Sequence, residues 1–557
     1  MANKRPNIIL ILSDDMGYSD LGCYGGEILT PNLDRLADTG LRFTQFYNTA
    51  RCCPSRASLL TGLHPHQAGV GQMVKPLGPD GYEGKLNRRC VTIAEVLQGV
   101  GYRTYMSGKW HVCGDTDHPT DAWPCQRGFH QFYGIIAGAA SYYWPATLAR
   151  NSTNIEHEAE SNPDFYLTDA LSENAAQFIY SHTESHFEDP FFLYLAYTSP
   201  HWPLHAKQED IQKYEGRFDA GWDNLRDARL ARMRTMGLLP GGLPLSPRDP
   251  AQPAWESAED RGWQSKRMEV YAAQVDRMDK GIGQVLDALE KTGEMDNTVV
   301  LFLSDNGGCH EEIHGNWIDW MVPDKVARLE TRDGRAVRIG NAPAIDPGSE
   351  DTYCSYGVPW ANLSNTPFRM YKCWVHEGGI STPLIVRWPA GIPACGELCH
   401  QPAQLPDVMA TLLEVTGADY PATRAGVEIL PCEGVSLVPA LSGALVNERM
   451  LFWEHEGNAA IRNGKWKLVR NFSGSTSGTP GFDRAGRRGE WELYDIEADR
   501  SEMHDLATDN PEIMSAMLVA YQAWAQRVGV ISGEDLLQLL STRNASRDAG
   551  AKTQAAE

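Results

Sequence analysis

The chain is expected to fold as an α/β protein in which a large, mainly parallel sheet is flanked by helices and joined to a smaller C-terminal antiparallel sheet packed by a helix. Three observations predict this. Apolar runs bounded by turn residues recur between residues 1 and 430, as expected for strands buried on both faces. Amphipathic helical patterns lie between them, and strand–helix alternation implies parallel pairing. After about Pro431 the texture changes to short β-rich segments.

The first run, Asn7 to Ser13, ends in Asp14-Asp15. Residues 102–106 form a second run before Gly108-Lys109-Trp110-His111, and residues 191–197 a third before Ser199-Pro200-His201-Trp202-Pro203. Val275, Met278, Ile282, Val285 and Leu289 share one helical face. Thr298 to Ser304 is the next strand, and it breaks into Asp305-Asn306-Gly307-Gly308. Residues 384–388 read as a further core strand and 405–415 as an amphipathic helix. In the C-terminal part, residues 450–454, 459–462, 465–470 and 492–495 read as strands, with Asn463-Gly464 as a hairpin signal and a helix over 511–525. The expected organisation is a main α/β domain over 1–430, an α+β subdomain over 431–540, and a polar, Ala-rich, disordered tail over 541–557. Segments 206–263 and 309–366 fit neither sheet, and long insertions of this kind are often lids or binding loops.

Composition excludes some partners. A formal charge of -22 argues against nonspecific binding to nucleic acid or anionic membranes, and 42% apolar residues is an ordinary globular value. No stretch is long and apolar enough to span a bilayer. Residues 1–6 run into the first strand without a secretory leader, which leads to the expectation of a cytoplasmic protein. On that expectation the twelve cysteines are mostly free thiols and the sequons at Asn151, Asn362, Asn471 and Asn544 are chance matches. The sequence carries no signal for oligomeric state.

Ligands of open α/β sheets bind beyond the carboxyl ends of the strands. If the strands ending in Asp14-Asp15 and Asp305-Asn306 are neighbours, their oxygens face one point. Such hard donors suit Ca²⁺, whose coordination is flexible, and Mg²⁺ shares the preference for oxygen. Lys109, His111 and His201 follow two further strand ends, and Lys372 lies later, ahead of His376-Glu377-Gly378-Gly379.

Cys52-Cys53-Pro54-Ser55-Arg56, continued by Leu60-Thr61-Gly62, resembles the C-x-P-S-R-x-x-x-L-T-G signature of the type I sulfatases, of the alkaline phosphatase superfamily. The late segment resembles that family's K-x-x-x-x-E-G-G. The resemblance implies that Cys52 is oxidised to formylglycine by a formylglycine-generating enzyme, with Cys53 at the variable position. It implies a divalent cation, Ca²⁺ or Mg²⁺, on Asp14, Asp15, Asp305, Asn306 and the formylglycine oxygen at Cys52. The hydrated aldehyde, a metal-bound diol, would attack the sulfur of a small-molecule or carbohydrate sulfate ester, as in arylsulfatases. Asp305 is then the base toward that hydroxyl, and Arg56 stabilises the aldehyde-derived oxygens. Lys109 and Lys372 clamp sulfate, His201 protonates the leaving oxygen and His111 deprotonates the remaining hydroxyl so that sulfate is expelled. His205 and His310, close to site segments, are candidates for substrate contact. Two alternatives share the scaffold: a formylglycine-dependent phosphonate monoester or phosphodiester hydrolase, and a noncatalytic binding protein.

Overall fold

The computed structural model describes residues 5–393, 395–472 and 489–554, with side chains to 544. Seven strands carry the main sheet: β1 (Asn7–Ser13), β2 (Leu41–Tyr47), β3 (Arg103–Lys109), β4 (Gln131–Ile135), β5 (Phe191–Ala196), β6 (Thr298–Ser304) and β7 (Ser381–Arg387). They lie in the order β2-β7-β6-β1-β5-β3-β4, and short strands at the edges bring the sheet to eleven. The five strands from β6 to β4 are parallel, whereas β7 runs antiparallel to both β6 and β2. An apolar run reads the same in either direction, so hydropathy could not give the orientation of β7.

The sheet divides two cores because side chains alternate along a strand. On β1, Ile9 and Ile11 enter one core while Ile8, Leu10 and Leu12 enter the other. β6 does the same with Val300 and Phe302 against Val299, Leu301 and Leu303. The first core is covered by helices α2 (Leu167–His186) and α3 (Arg261–Thr292), and the five α3 residues expected on one face are all buried there. The opposite core is covered by α1 (Cys52–Thr61) and α4 (Pro406–Thr416).

The C-terminal sheet is an antiparallel meander of β8 (Leu451–His455), β9 (Asn458–Asn463), β10 (Trp466–Arg470) and β11 (Trp491–Asp495). One face takes Met517, Tyr521, Trp524 and Val528 of α5 (Pro511–Val528). The other packs Leu451, Trp453, Ala460, Val469 and Tyr494 against Tyr47, Val375 and Ile380 of the main domain. Ions seal this seam: Glu377 accepts from Lys467 at 2.9 Å and Arg500 at 2.8 Å, and Glu502 lies 2.8 Å from Lys467. Glu377, expected in a site segment, is thus a structural anchor.

Two expectations change. Helix α6 (Gly533–Gln554) continues into the segment expected to be a disordered tail, because Ala and Arg are good helix formers there; residues 555–557 lie outside the described range. Segment 206–263 contains the helix Gly221–Thr235, and Trp222 packs edge to face on Trp255 and Trp360 at 4.7 and 5.3 Å. That part is core rather than lid.

Candidate active site

β1 and β6 pair in register, Ser13 opposite Ser304, so Asp14-Asp15 and Asp305-Asn306 leave the sheet side by side. Asp15 has φ 66°, a left-handed conformation that Asp tolerates. Its N–H donates to Asp305 Oδ1 at 3.2 Å, and Asn306 Nδ2 donates to Asp15 Oδ1 at 2.7 Å. All four residues are buried, and Asp14 Oδ1 and Asn306 Oδ1 have no hydrogen-bond partner.

Cations surround these carboxylates. Arg56, one turn after Cys52 on α1, donates to Asp305 Oδ2 at 2.8 Å and to the Lys109 carbonyl at 3.0 Å, with Asp14 3.6 Å away. Lys109, the last residue of β3, reaches Asp14 Oδ2 at 2.5 Å. Lys372 donates to Asp15 Oδ2 at 2.8 Å and to His201 Nε2 at 3.3 Å. Since an ammonium only donates, His201 Nε2 accepts, and its Nδ1–H donates to the Trp202 carbonyl at 2.7 Å.

The protonation pattern reflects crowding. Desolvation and then Asp305 raise the Asp14 pKa well above the carboxylate range, and desolvation raises Asp305 as well. At Asp15, Lys372 and His201 outweigh desolvation and lower the pKa. Burial pushes His111 down to about 4 and His201 to about 3, so both rings are neutral. Carboxylates held above their usual range and two partnerless oxygens are what an all-oxygen cation site presents. Asp14, Asp15, Asp305 and Asn306 therefore fit a divalent cation.

Cys52 is the first residue of α1, after an extended Arg51, and is 2% exposed. The hydrogen bond from Cys53 lowers its thiol pKa most; with Lys109, His111 and Lys372 it outweighs desolvation. Burial drives the neighbouring Cys53 the opposite way. The two cysteines separated by motif register are thus also distinct physically. His111 lies against both, at φ 49°, with its ring over Gly138, where a Cβ would come within 2.5 Å of His111 Cε1.

The structure therefore brings Asp14, Asp15, Cys52, Arg56, Lys109, His111, His201, Asp305, Asn306 and Lys372 together. It does not bring in His205, whose Nδ1 accepts the Tyr142 N–H and whose Nε2 donates to the Thr352 carbonyl; the expected substrate contact is corrected to a structural role. His310 is wholly buried, its ring 4.8 Å from that of Trp374 and 5.6 Å from that of Tyr371. Sequence reasoning missed Glu311, which accepts from Arg51 at 3.1 Å and Trp202 Nε1 at 2.8 Å and lies 3.9 Å from Lys372. Its place five residues after Asn306 was the available signal.

Comparison with known proteins decides the family. The sulfatase family model matches residues 6–418. The chain belongs to the sulfatase family. It is 32% identical to an uncharacterized sulfatase of Schizosaccharomyces pombe over 96% of each chain. An arylsulfatase of Klebsiella aerogenes is 34% identical over 80% of this chain and 94% of its own. The crystal structure of Ps i-CgsB in complex with k-i-k-neocarrahexaose superposes with TM-score 0.63 at 25% identity, covering 94% of this chain and 93% of the other. These relatives place the chain among the type I sulfatases, with the alkaline phosphatase superfamily fold, and make it a sulfuric ester hydrolase.

The cytoplasmic expectation is corrected by the same neighbours. One, at 25% identity, is solved with a neocarrahexaose. Such glycans are extracellular, which argues against a cytoplasmic location. All twelve cysteines are nevertheless free. Among the described residues no helix is long and apolar enough to cross a membrane.

Proposed function

We propose that this sulfatase hydrolyses sulfate monoesters in the arylsulfatase manner, through a formylglycine made from Cys52 by a formylglycine-generating enzyme. The observation that carries the reading is the setting of Cys52: a helix N-terminus, a depressed thiol, three cationic side chains and an unmatched set of oxygens beside it. Asp14, Asp15, Asp305 and Asn306 would hold the cation, Ca²⁺ by the all-oxygen donor set, with Mg²⁺ as the other hard ion. When bound, cation and aldehyde together supply an activated hydroxyl nucleophile at neutral pH.

The remaining work belongs to side chains. Arg56, locked by Asp305, presents a fixed guanidinium toward position 52. Each lysine ammonium has three N–H donors, and the bond to Asp14 takes one from Lys109, leaving others for sulfate oxygens. Asp305 receives the nucleophile's proton. His201 Nε2 accepts from Lys372 in the resting site, so the ring first takes up a proton at Nε2 and then turns that N–H from Lys372 to the leaving oxygen, giving the proton up as negative charge develops. Neutral His111, touching Cys52, takes the proton of the second step.

The substrate is a small-molecule or carbohydrate sulfate ester; no further identity is assigned by the motifs. Peptide mass analysis of position 52, with turnover of 4-nitrophenyl sulfate against a phenylphosphonate ester, tests the reading. An unmodified thiol in active protein, or preference for the phosphonate, would overturn it.

A further inference from the structure

The sulfate end of the pocket is accounted for by buried charge, yet nothing in it reads the alcohol. Beyond His201 the lining changes from charged to aromatic. The His201 ring lies 4.4 Å from that of Trp202, and Trp202 lies 6.3 Å from Trp317 and 6.5 Å from Trp320, themselves 5.7 Å apart. Trp202 is fixed from behind by Glu311, whereas Trp317 and Trp320 are half-buried on a short helical stretch at the surface. An aromatic ladder thus leads from the leaving-group histidine to solvent.

That stretch also bridges the walls of the site. Met321 anchors it in the core. Asp324 pairs with Lys75, three residues from Gln72 and two from Met73, whose Sδ lies 3.4 Å from Cys53 Sγ. Lys325 pairs with Asp117 on the loop after His111. Residues 315–325 therefore join the loops that carry Lys75 and Asp117 and pack on Trp202 beside His201, while Cys52, His111 and His201 are only 2, 5 and 5% exposed.

We infer that Trp202, Trp317 and Trp320 form the leaving-group subsite, which takes a ring with a flat apolar face, either an arene or the apolar face of a sugar. Indole faces supply large, rigid apolar area and orient flat partners without fixing their polar substituents. A straight-chain alcohol gains little there. This deepens the sulfate ester reading and rests on it for the position of the leaving group beside His201.

The test uses the full chain with Trp317→Ala and Trp320→Ala combined, both half-buried positions packed on the outside of the first core. Substrates are 4-nitrophenyl sulfate, glucosamine 6-sulfate and methyl sulfate, and binding of 4-nitrophenol and glucosamine is measured separately by calorimetry. Loss of one aromatic contact of about 1.4 kcal/mol corresponds to about tenfold, so kcat/KM falls about tenfold or more for at least one ring ester, mainly through KM. Methyl sulfate changes less than about twofold on the same argument. The ring ester that falls tells arene from sugar. An equal loss on methyl sulfate, or no loss on either ring ester, overturns the subsite. If the wild type hydrolyses none of the three, the functional reading fails and calorimetry decides the subsite: ring binding lost in the variant supports it, and ring binding absent or unchanged overturns it. Should the double variant fail to fold, Trp317→Leu and Trp320→Leu singly give the same readouts.

Discussion

Two clusters of buried charge are built from the same residue types and behave oppositely. At the seam between the sheets, Glu377 and Glu502 meet Lys467 and Arg500, and Arg500 also donates to the Thr44 carbonyl and Ser381 Oγ. There Lys467 and Arg500 outweigh desolvation and hold Glu377 down at about 2. At the active site the carboxylates crowd one another, and Asp14 is held above its ordinary range despite Lys109 and Arg56. The difference teaches how to tell a strut from a site. A cluster that satisfies itself fixes two layers together, and one that leaves oxygens unmatched is shaped for something else.

The sharpest test of that contrast removes the nucleophile. Cys52→Ala should lower sulfate ester turnover by a factor on the order of 10⁴, measured against wild-type protein with its modification verified by mass, because covalent catalysis is lost entirely. Its thermal midpoint should barely move, since only a small buried side chain is trimmed.

Lys467→Met should show the reverse. Leaving Glu377 and Glu502 without their ammonium costs about 3–5 kcal/mol in denaturant unfolding, as for other broken buried pairs. Turnover per folded molecule should stay within about twofold if the seam is purely structural. A large fall in kcat would break the comparison.

A smaller effect separates the two clusters by ligand. Calcium at 100 times its Kd should stabilise the wild type by about 2.7 kcal/mol in thermal melts, and a chelator should reverse it. Asp14→Asn should abolish that response, yet the chelated variant should be no less stable than chelated wild type, because the replaced carboxylate is the most crowded one. Equal calcium stabilisation of the variant would sink the ligand set.

The smallest effect concerns acid. Burial holds His205 at about 4, below the unfolded value near 6.5. As pH falls below 6.5 the unfolded chain takes the proton first, so stability is full above that value and lost down to about 4. The slope from this group is at most about 1.4 kcal/mol per pH unit. Urea unfolding at pH 7, 5.5 and 4.5 should show a shallower acid loss in His205→Gln; an unchanged slope would remove His205 from the account.

Much of this was legible in sequence because the chemistry sits where hydropathy changes. β1 and β6 are apolar between their end residues and stop abruptly at Asp14 and Asp305, so the sequence marks both strand ends and the oxygen-bearing residues beyond them. Lys109 differs slightly: the strand runs on to include it, since Ser107 and Gly108 fit a strand without looking apolar. Arg51 and Glu311 were not legible, because a single charge on a loop reads as solvated until its partner, far along the chain, is known. The same holds for Glu377. Its segment matched a site motif, and only Lys467 and Arg500, far downstream, reveal it as an anchor. The aromatic ladder was half visible, as tryptophans in an unassigned insertion.

The in-register pairing of Ser13 with Ser304 has one more consequence. Neighbouring strands are about 4.8 Å apart wherever they pair, so the spacing of the four oxygen donors is inherited from the pitch of the sheet itself. They occupy the first two positions after the strand ends, so almost no loop separates them from the sheet. On heating or in hydrogen exchange these ligands should therefore part only with the central strands, whereas the stretch over 315–325, tied at its far end by surface pairs, can detach by itself. The molecule would lose its discrimination between substrates before it loses its grip on the metal.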